Sequence, residues 1–215
     1  MALPGVHGGE RFLTYDPAVP DDRLTQQIAF LIQADRLKTI LRRTPLTDNS
    51  RLENSAEHSW HLALAALALS EHAPAGVDLA RVLQLVVIHD LVEIDAGDTF
   101  AYDAVAHATK ADREHAAADR LFGLLPSDQR QLFRARWDEF EAQATPESRF
   151  ANALDRFQAL LLNSQSGGGS WATHRVLRSQ VLTRMAPVQS ALPALWPYVL
   201  DVIERACTAG AIVRD

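Results

Sequence analysis

Histidine and aspartate side chains stand inside apolar helical stretches at three separate places along this chain. The first stretch contains His58, the second contains the adjacent pair His89 and Asp90, and the third contains Asp155. Burial of an unpaired imidazole or carboxylate is costly unless a partner neutralises it. A divalent metal is the simplest common partner for two imidazoles and two carboxylates. Mixed nitrogen and oxygen ligands suit a first-row transition ion better than calcium.

Each of these residues also has a plainer explanation. A single histidine in an apolar helix is more often a hydrogen-bonded core residue than a ligand, and a single aspartate is more often a cap or an ion-pair partner. The joint pattern is more specific than its parts. His61 shares a helical face with His58, but no His-Glu-x-x-His arrangement is present, so His61 is expected to support the site or the fold.

The hydrophobic periodicity predicts an all-α chain of about eight helices, because apolar residues repeat at steps of three and four and no alternating segment of useful length occurs. Glycine and proline separate the helices, and Gly167 to Gly169 predicts a flexible joint. We expect a loose lead-in over residues 1–20, one main domain over 21–165, and C-terminal helices over 166–215 packed on that domain. The predicted helices run from Asp22 to a stop at Pro45 and over residues 54–72, 78–93, 110–125, 130–143, 146–163, 171–190 and 193–209.

Composition narrows the function classes. The chain has 215 residues, of which 47% are hydrophobic and 22% charged, and this is ordinary globular composition. The formal net charge of −6 argues against a nucleic-acid polymer as partner, because such a surface needs clustered positive charge. No apolar run approaches the ~20 residues of a membrane span. A single cysteine, Cys207, fits the reducing cytoplasm.

The ordered motifs resemble one known family. Ser55-Ala56-Glu57-His58 precedes His89-Asp90-x-x-Glu93-x-x-x-Gly97-Asp98, and Leu154-Asp155-Arg156 follows. This series is similar to the HD-domain superfamily of metal-dependent phosphohydrolases, within it to the 5′-deoxynucleotidase-like branch. The resemblance covers about residues 25–165. It also includes the stretches Leu41 to Thr44 and Trp137 to Glu141.

The resemblance implies a compact helical bundle with one divalent transition metal, whether manganese, cobalt, iron, zinc, nickel or copper. It assigns the metal to His58, His89, Asp90 and Asp155. It also implies a small-molecule nucleotide substrate and a homodimer.

The same resemblance implies roles for residues around the metal. Glu93 becomes a catalytic carboxylate, and Asp98 lies near the attacking water or the sugar. Arg43 holds the substrate phosphate, as a guanidinium matches phosphate oxygens, and Lys110 offsets further negative charge. Thr44 stands where the bacterial enzymes carry a tryptophan that helps exclude the ribose 2′-hydroxyl, so the preference between deoxyribose and ribose stays open.

The function expected from this reading is removal of the 5′-phosphate from nucleoside or deoxynucleoside 5′-monophosphates by a metal-activated water. Two alternatives remain open. A two-metal HD protein, acting as a cyclic-nucleotide phosphodiesterase or a di-iron oxygenase, would use His107 and His115 as well. A non-catalytic helical nucleotide-binding module would bind nucleotide without hydrolysing it.

Overall fold

The computed structural model describes residues 23–103 and 108–215. The expected lead-in over residues 1–20 and the candidate ligand His107 lie outside the described residues. Within them the chain is mainly helical, with one small sheet of two strands, so the prediction of a helical bundle is confirmed. No helix in these ranges has the length and hydropathy needed to cross a lipid bilayer.

The elements follow one another closely along the chain. In the first half they are α1 (Arg23–Ala34), a 3₁₀ turn (Asp35–Thr39), β1 (Leu41–Pro45), β2 (Leu52–Asn54), α2 (Ser55–Ala68), a 3₁₀ turn (Ser70–His72), α3 (Leu79–Ile88), a 3₁₀ turn (His89–Val92) and α4 (Glu93–Ala96). In the second half they are α5 (Lys110–Phe122), α6 (Ser127–Ala142), α7 (Pro146–Gln165), α8 (Gly169–His174), α9 (Arg178–Ala191), a 3₁₀ turn (Pro193–Leu195) and α10 (Trp196–Thr208).

The helix predicted from Asp22 to Pro45 is wrong in its second half. The chain leaves the helix after Ala34, and β1 pairs antiparallel with β2, with Leu41 opposite Asn54. A residue before proline is disfavoured in helical conformation, and Thr44 precedes Pro45. The side chains of the strand alternate, so that Arg42 and Thr44 are turned inward while Leu41 and Arg43 are exposed.

The helices of the C-terminal part are also shorter than predicted. The helix expected over 171–190 is two helices, because α8 ends at His174 and Arg175 adopts a left-handed φ of 51°. The three glycines form a turn closed by hydrogen bonds rather than a flexible joint. The backbone N–H of Gly168 donates to the Asn163 carbonyl at 2.9 Å, and that of Trp171 donates to the Gly168 carbonyl at 2.8 Å.

Two clusters of buried apolar side chains form the interior. The larger joins α2, α3 and α7 with the C-terminal helices α9 and α10. The smaller joins α1 and the 3₁₀ turn after it with the end of α3, α5 and α6. Helix α7 is buried on most sides, and Phe150, Leu154 and Leu160 are inaccessible to solvent. Polar residues on α7 therefore face other helices, and this arrangement positions the site described next.

Candidate active site

His58 lies on α2 and is completely buried. Its Nδ1–H donates to Gln158 Oε1 at 3.0 Å, and its Nε2 lies 2.9 Å from Asp155 Oδ1. Burial and Arg42 lower the pKa of His58, but Asp155 and Glu53 outweigh them and raise it to about 9. The surrounding carboxylates thus favour a cation at this nitrogen, either a proton or a metal ion.

His89 presents the second candidate nitrogen at the break between α3 and the following 3₁₀ turn. Its Nδ1–H donates to the Val86 carbonyl at 2.9 Å, which orients the ring and leaves Nε2 free to act as a ligand. That Nε2 atom is buried and makes no hydrogen bond within the described part of the chain. Asp90 Oδ1 lies 3.0 Å from this nitrogen, but not in hydrogen-bond geometry. A buried imidazole nitrogen without a hydrogen bond is costly, so this atom fits a metal ligand.

Asp155 completes a compact donor set. The ligand atoms of His58, His89 and Asp155 all lie within 4.8 Å of one another. They come from α2, from the end of α3 and from α7, which meet in the interior. Two imidazole nitrogens and a carboxylate oxygen match the preferences of a divalent transition metal, so the residues present fit the group that the sequence implies.

Asp90 lies beside this set and faces Arg42. One carboxylate oxygen accepts a hydrogen bond from Arg42 Nη1 at 2.9 Å, and the other lies 3.0 Å from His89 Nε2. Burial raises the pKa of Asp90, but His89 and Arg42 more than offset this effect and keep the carboxylate ionised. Asp90 is not one of the three donors that lie within 4.8 Å of one another, so its role as a fourth ligand stays a prediction.

Two further carboxyl groups lie close to Asp90. Glu93 is buried and accepts a hydrogen bond from the Ser55 hydroxyl at 2.6 Å. Burial, followed by repulsion from Asp90, raises the pKa of Glu93 well above its ordinary value. Burial likewise raises the pKa of Asp98, while Arg42 works against it. Both carboxyl groups therefore keep a proton to higher pH than ordinary glutamic and aspartic acids do, which is the property a general acid needs.

Most of the predicted residues line one of two neighbouring cavities. The first, here called the central cavity, is lined by three of the four predicted ligands, all but His58, and by the acidic residues beside them. The second, the adjoining cavity, contains both residues predicted to bind substrate on β1. The central cavity is lined by His89, Asp90, Glu93, Asp98, Lys110, Asp155, Arg42, Arg156 and Arg184, among others. The adjoining cavity is lined by Arg43, Thr44, Asp98, Phe100, Tyr102, Trp171 and Arg184, among others.

Lys110 reaches the central cavity but is paired. Its Nζ lies 2.9 Å from the Glu114 carboxylate, so part of its charge is already neutralised. His115, the second histidine of the two-metal reading, is exposed, and its Nδ1 accepts a hydrogen bond from Arg134 at 2.8 Å. A cation bound to that nitrogen disfavours a second metal at His115.

Sequence reasoning assigned no role to Arg42, Glu53 and Gln158, which hold the site together. Arg42 contacts Asp90 and lies 3.8 Å from Asp155 Oδ1 and 3.5 Å from Glu53 Oε2. Gln158 accepts from His58, and its Nε2 donates to Glu53 Oε1 at 2.6 Å and lies 3.2 Å from His61 Nδ1. A signal for Gln158 was present, because it follows Asp155 by three residues on one helix face.

These elements and this donor set coincide with a known family. An HD-domain family model matches residues 34–196. The chain belongs to the HD-domain family. A crystal structure of a "Predicted metal-dependent phosphohydrolase" from Magnetospirillum magnetotacticum MS-1 shares 46% sequence identity with it and superposes with a TM-score of 0.86, covering 90% of this chain and 97% of that one.

Curated relatives of this HD-domain protein carry one activity in their names. The human 5′-deoxynucleotidase HDDC2 is 29% identical over 140 residues, which is 63% of this chain and 67% of the human protein. The 5′-deoxynucleotidase Ent638_2835 of Enterobacter sp. (strain 638) is 32% identical over 124 residues, which is 54% of this chain and 61% of the bacterial protein. The resemblance seen in the motifs is thus confirmed.

Proposed function

We propose that this HD-domain protein is a metal-dependent phosphohydrolase that removes the 5′-phosphate from nucleoside or deoxynucleoside 5′-monophosphates. The observation that carries the proposal is the buried set of donors from His58, His89 and Asp155, whose ligand atoms all lie within 4.8 Å of one another. The names of the similar proteins support the same substrate class.

In this proposal His58, His89, Asp90 and Asp155 hold one divalent transition metal. Such an ion supplies an activated water at neutral pH and draws charge from phosphoryl oxygens. The partners of the ligands fix the site: Gln158 orients the ring of His58, and the Val86 carbonyl orients that of His89.

Proton transfer is assigned to Glu93, with Asp98 beside it. Because burial keeps Glu93 protonated to higher pH than an ordinary glutamic acid, it can give a proton to the leaving 5′-oxygen. The Ser55 hydroxyl holds Glu93 from one side. Without that proton the nucleoside would leave as an alkoxide, which is a poor leaving group at neutral pH.

The nucleoside is assigned to the adjoining cavity. This cavity combines Arg43 and Thr44 from β1 with aromatic side chains that can pack against a sugar or a base. Phe100 is itself held against the ring of His174, with centroids 4.3 Å apart. We assign the phosphate to Arg43, because its guanidinium-bearing side chain lines this cavity.

One substrate panel tests the proposal. Metal-stripped protein is reloaded with manganese, cobalt or magnesium and given 5′-deoxynucleotides, 5′-ribonucleotides, 3′-nucleotides and a cyclic dinucleotide. Phosphate release only from the 5′-monophosphates is expected. Cleavage of the cyclic dinucleotide would favour the two-metal reading instead, and tight nucleotide binding without turnover would favour the binding module.

The variant Asp90→Ala tests the site within the same assay. We expect kcat/KM to fall more than about 100-fold, beyond the loss typical of outer hydrogen-bond partners of a metal ligand. Asp201→Ala is the control, since Asp201 is an exposed residue on α10 paired with Arg205, and it should keep full activity. If folded Asp90→Ala protein hydrolysed nucleotides at the normal rate, the assignment of the site would be wrong.

We further propose that the protein is a homodimer and acts in the cytoplasm. Exposed apolar stripes on α1 and α2, taken up at the whole-molecule scale below, support the dimer. The single, unpaired Cys207 supports a reducing compartment.

A further inference from the structure

Arg184 reaches the site from the C-terminal helices, outside the stretches that carry the sequence motifs. On α9, Val181, Met185 and Val188 are buried in the larger core cluster. Residues three and four apart share a helix face, so Arg184 lies on this buried face. Its aliphatic stem therefore covers apolar surface while its guanidinium extends into the cavities.

The position of Arg184 relates the two cavities to each other. Arg184, Arg42 and Asp98 line both the central cavity and the adjoining cavity. They form a common wall between the proposed metal on one side and the proposed nucleoside on the other. The phosphate group of a nucleotide would lie between the metal and the nucleoside, and therefore next to this wall.

The guanidinium of Arg184 is poorly neutralised. Its contact with a carboxylate in the described part of the chain is from Nη2 to Asp155 Oδ2 at 3.8 Å, which is longer than a hydrogen bond. The same oxygen already accepts a hydrogen bond from Arg156 at 2.5 Å, and Arg42 lies 3.8 Å from the other oxygen. Three guanidinium groups thus share one carboxylate.

We propose that Arg184 binds the phosphate group of the substrate and works with Arg43 on it. The inference rests on the proposed function and deepens it, because it makes the C-terminal helices part of the active site. A guanidinium offers paired N–H donors that match phosphate oxygens. A phosphomonoester dianion supplies a close anionic partner for Arg184, whose contact with Asp155 is 3.8 Å long.

The competing explanation is that Arg184 only orients Asp155. The two roles differ in what the side chain's removal changes. Loss of a phosphate ligand weakens binding of phosphate and substrate while the metal stays bound. Loss of support for Asp155 weakens the metal itself.

The experiment compares Arg184→Gln and Arg184→Lys with the control Arg178→Gln, which changes an arginine on the same helix outside both cavities. Binding of inorganic phosphate to manganese-loaded protein is measured by calorimetry, metal content by mass spectrometry, and kcat and KM with a 5′-deoxynucleotide. We expect Arg184→Gln to weaken phosphate binding and raise KM about 10-fold or more, as for loss of a charge-assisted hydrogen bond. Arg184→Lys should recover part of the loss, and Arg178→Gln should behave like the wild type.

Phosphate binding by Arg184→Gln within twofold of the wild type would overturn the inference. So would a loss of manganese that accounts for the loss of phosphate. The proposed function fails in a different way: if the wild type binds phosphate in an Arg184-dependent manner but releases none from any 5′-nucleotide, the phosphate site stands and the nucleotidase activity does not.

Discussion

At the scale of a single residue, the raised pKa of Glu93 has opposite effects on catalysis and on the stability of the fold. Its carboxyl group is buried near Asp90, which raises its pKa, and the Ser55 hydroxyl donates to it. A raised carboxyl pKa helps a general acid to keep its proton. It also costs stability, because the unfolded chain ionises this group at lower pH than the folded chain does.

The variant Glu93→Gln should therefore separate activity from stability. We expect kcat to fall about 100-fold or more, as for loss of a general acid, while KM changes little. The alkaline decline of kcat in the wild type, where Glu93 loses its proton, should be absent from the residual activity. Steady-state kinetics between pH 5 and about 9.5 measures both effects.

The stability of the metal-free protein should depend on pH through Glu93. Below the ordinary glutamic acid pKa of 4.5 the group is neutral in both states, so the variant and the wild type should unfold at similar temperatures. Above that pH the wild type loses stability relative to the variant until the folded pKa is reached. Glu71→Gln, at an exposed position, should change neither property. A variant that is less stable than the wild type at pH 8 would contradict this account.

Residue types and their order along the chain were enough to predict the donors at His58, His89 and Asp155. They were not enough to predict that Arg42, rather than Arg43, contacts Asp90. That contact depends on β1 being a strand, since alternation turns Arg42 toward Asp90 and leaves Arg43 exposed. The strand itself exists because β2 pairs with it, and this is a contact that local spacing does not reveal.

At the scale of elements, local signals located the helix ends well. Thr145 and Pro146 predicted the start of α7, and the structure has a capping box at Thr145. Gly97, with a φ of 75°, ends the helical stretch that begins near Asp78, as predicted, but the 3₁₀ turn over His89–Val92 divides that stretch. The break between α8 and α9 gave no such signal, because it occurs at Arg175, a residue without a local preference for its left-handed conformation, between the buried Trp171 and Val176.

The turn over Gly167, Gly168 and Gly169 is the connection that sets α8, and with it Trp171, against the adjoining cavity. All three residues have positive φ, a region that side chains with a Cβ disfavour. A Cβ on Gly168 would also lie 2.4 Å from the Cβ of Ala211, whereas one on Gly167 would meet nothing within 4 Å. The two positions therefore form a matched pair that differs only in the space around the side chain.

Gly168→Ala should destabilise the protein by about 3 kcal/mol or more, because backbone strain and overpacking add. Gly167→Ala should cost only the strain, about 1 kcal/mol. Urea unfolding followed by circular dichroism measures the difference. If the two variants were equally stable, the close packing of the turn against Ala211 would not hold in solution.

At the scale of the whole molecule, two helices present apolar stripes to solvent. On α2, Trp60, Leu64 and Leu67 follow one helical face, and Trp60 is 66% exposed. On α1, Leu24, Ile28, Leu31 and Ile32 do the same, and Leu31 is 65% exposed. Stripes of this kind mark protein contacts more often than free surface. A symmetric pair of chains would bury the same patch on both subunits.

Trp60→Glu should convert the proposed dimer into a monomer, because a charge at the centre of an apolar contact is left without a partner. The dissociation constant should rise about 100-fold or more, as for an aromatic residue central to an interface. Light scattering coupled to size-exclusion chromatography measures the mass of each species. Leu200→Glu on α10 alters an exposed apolar residue outside both stripes and should leave the dimer intact.

A wild type that is monomeric at micromolar concentration, or a Trp60→Glu variant that dimerises as well as the wild type, would exclude this face as the subunit contact. Since Trp60 lies on the same helix as His58, a monomeric variant that kept full activity would also show that each subunit carries a complete site.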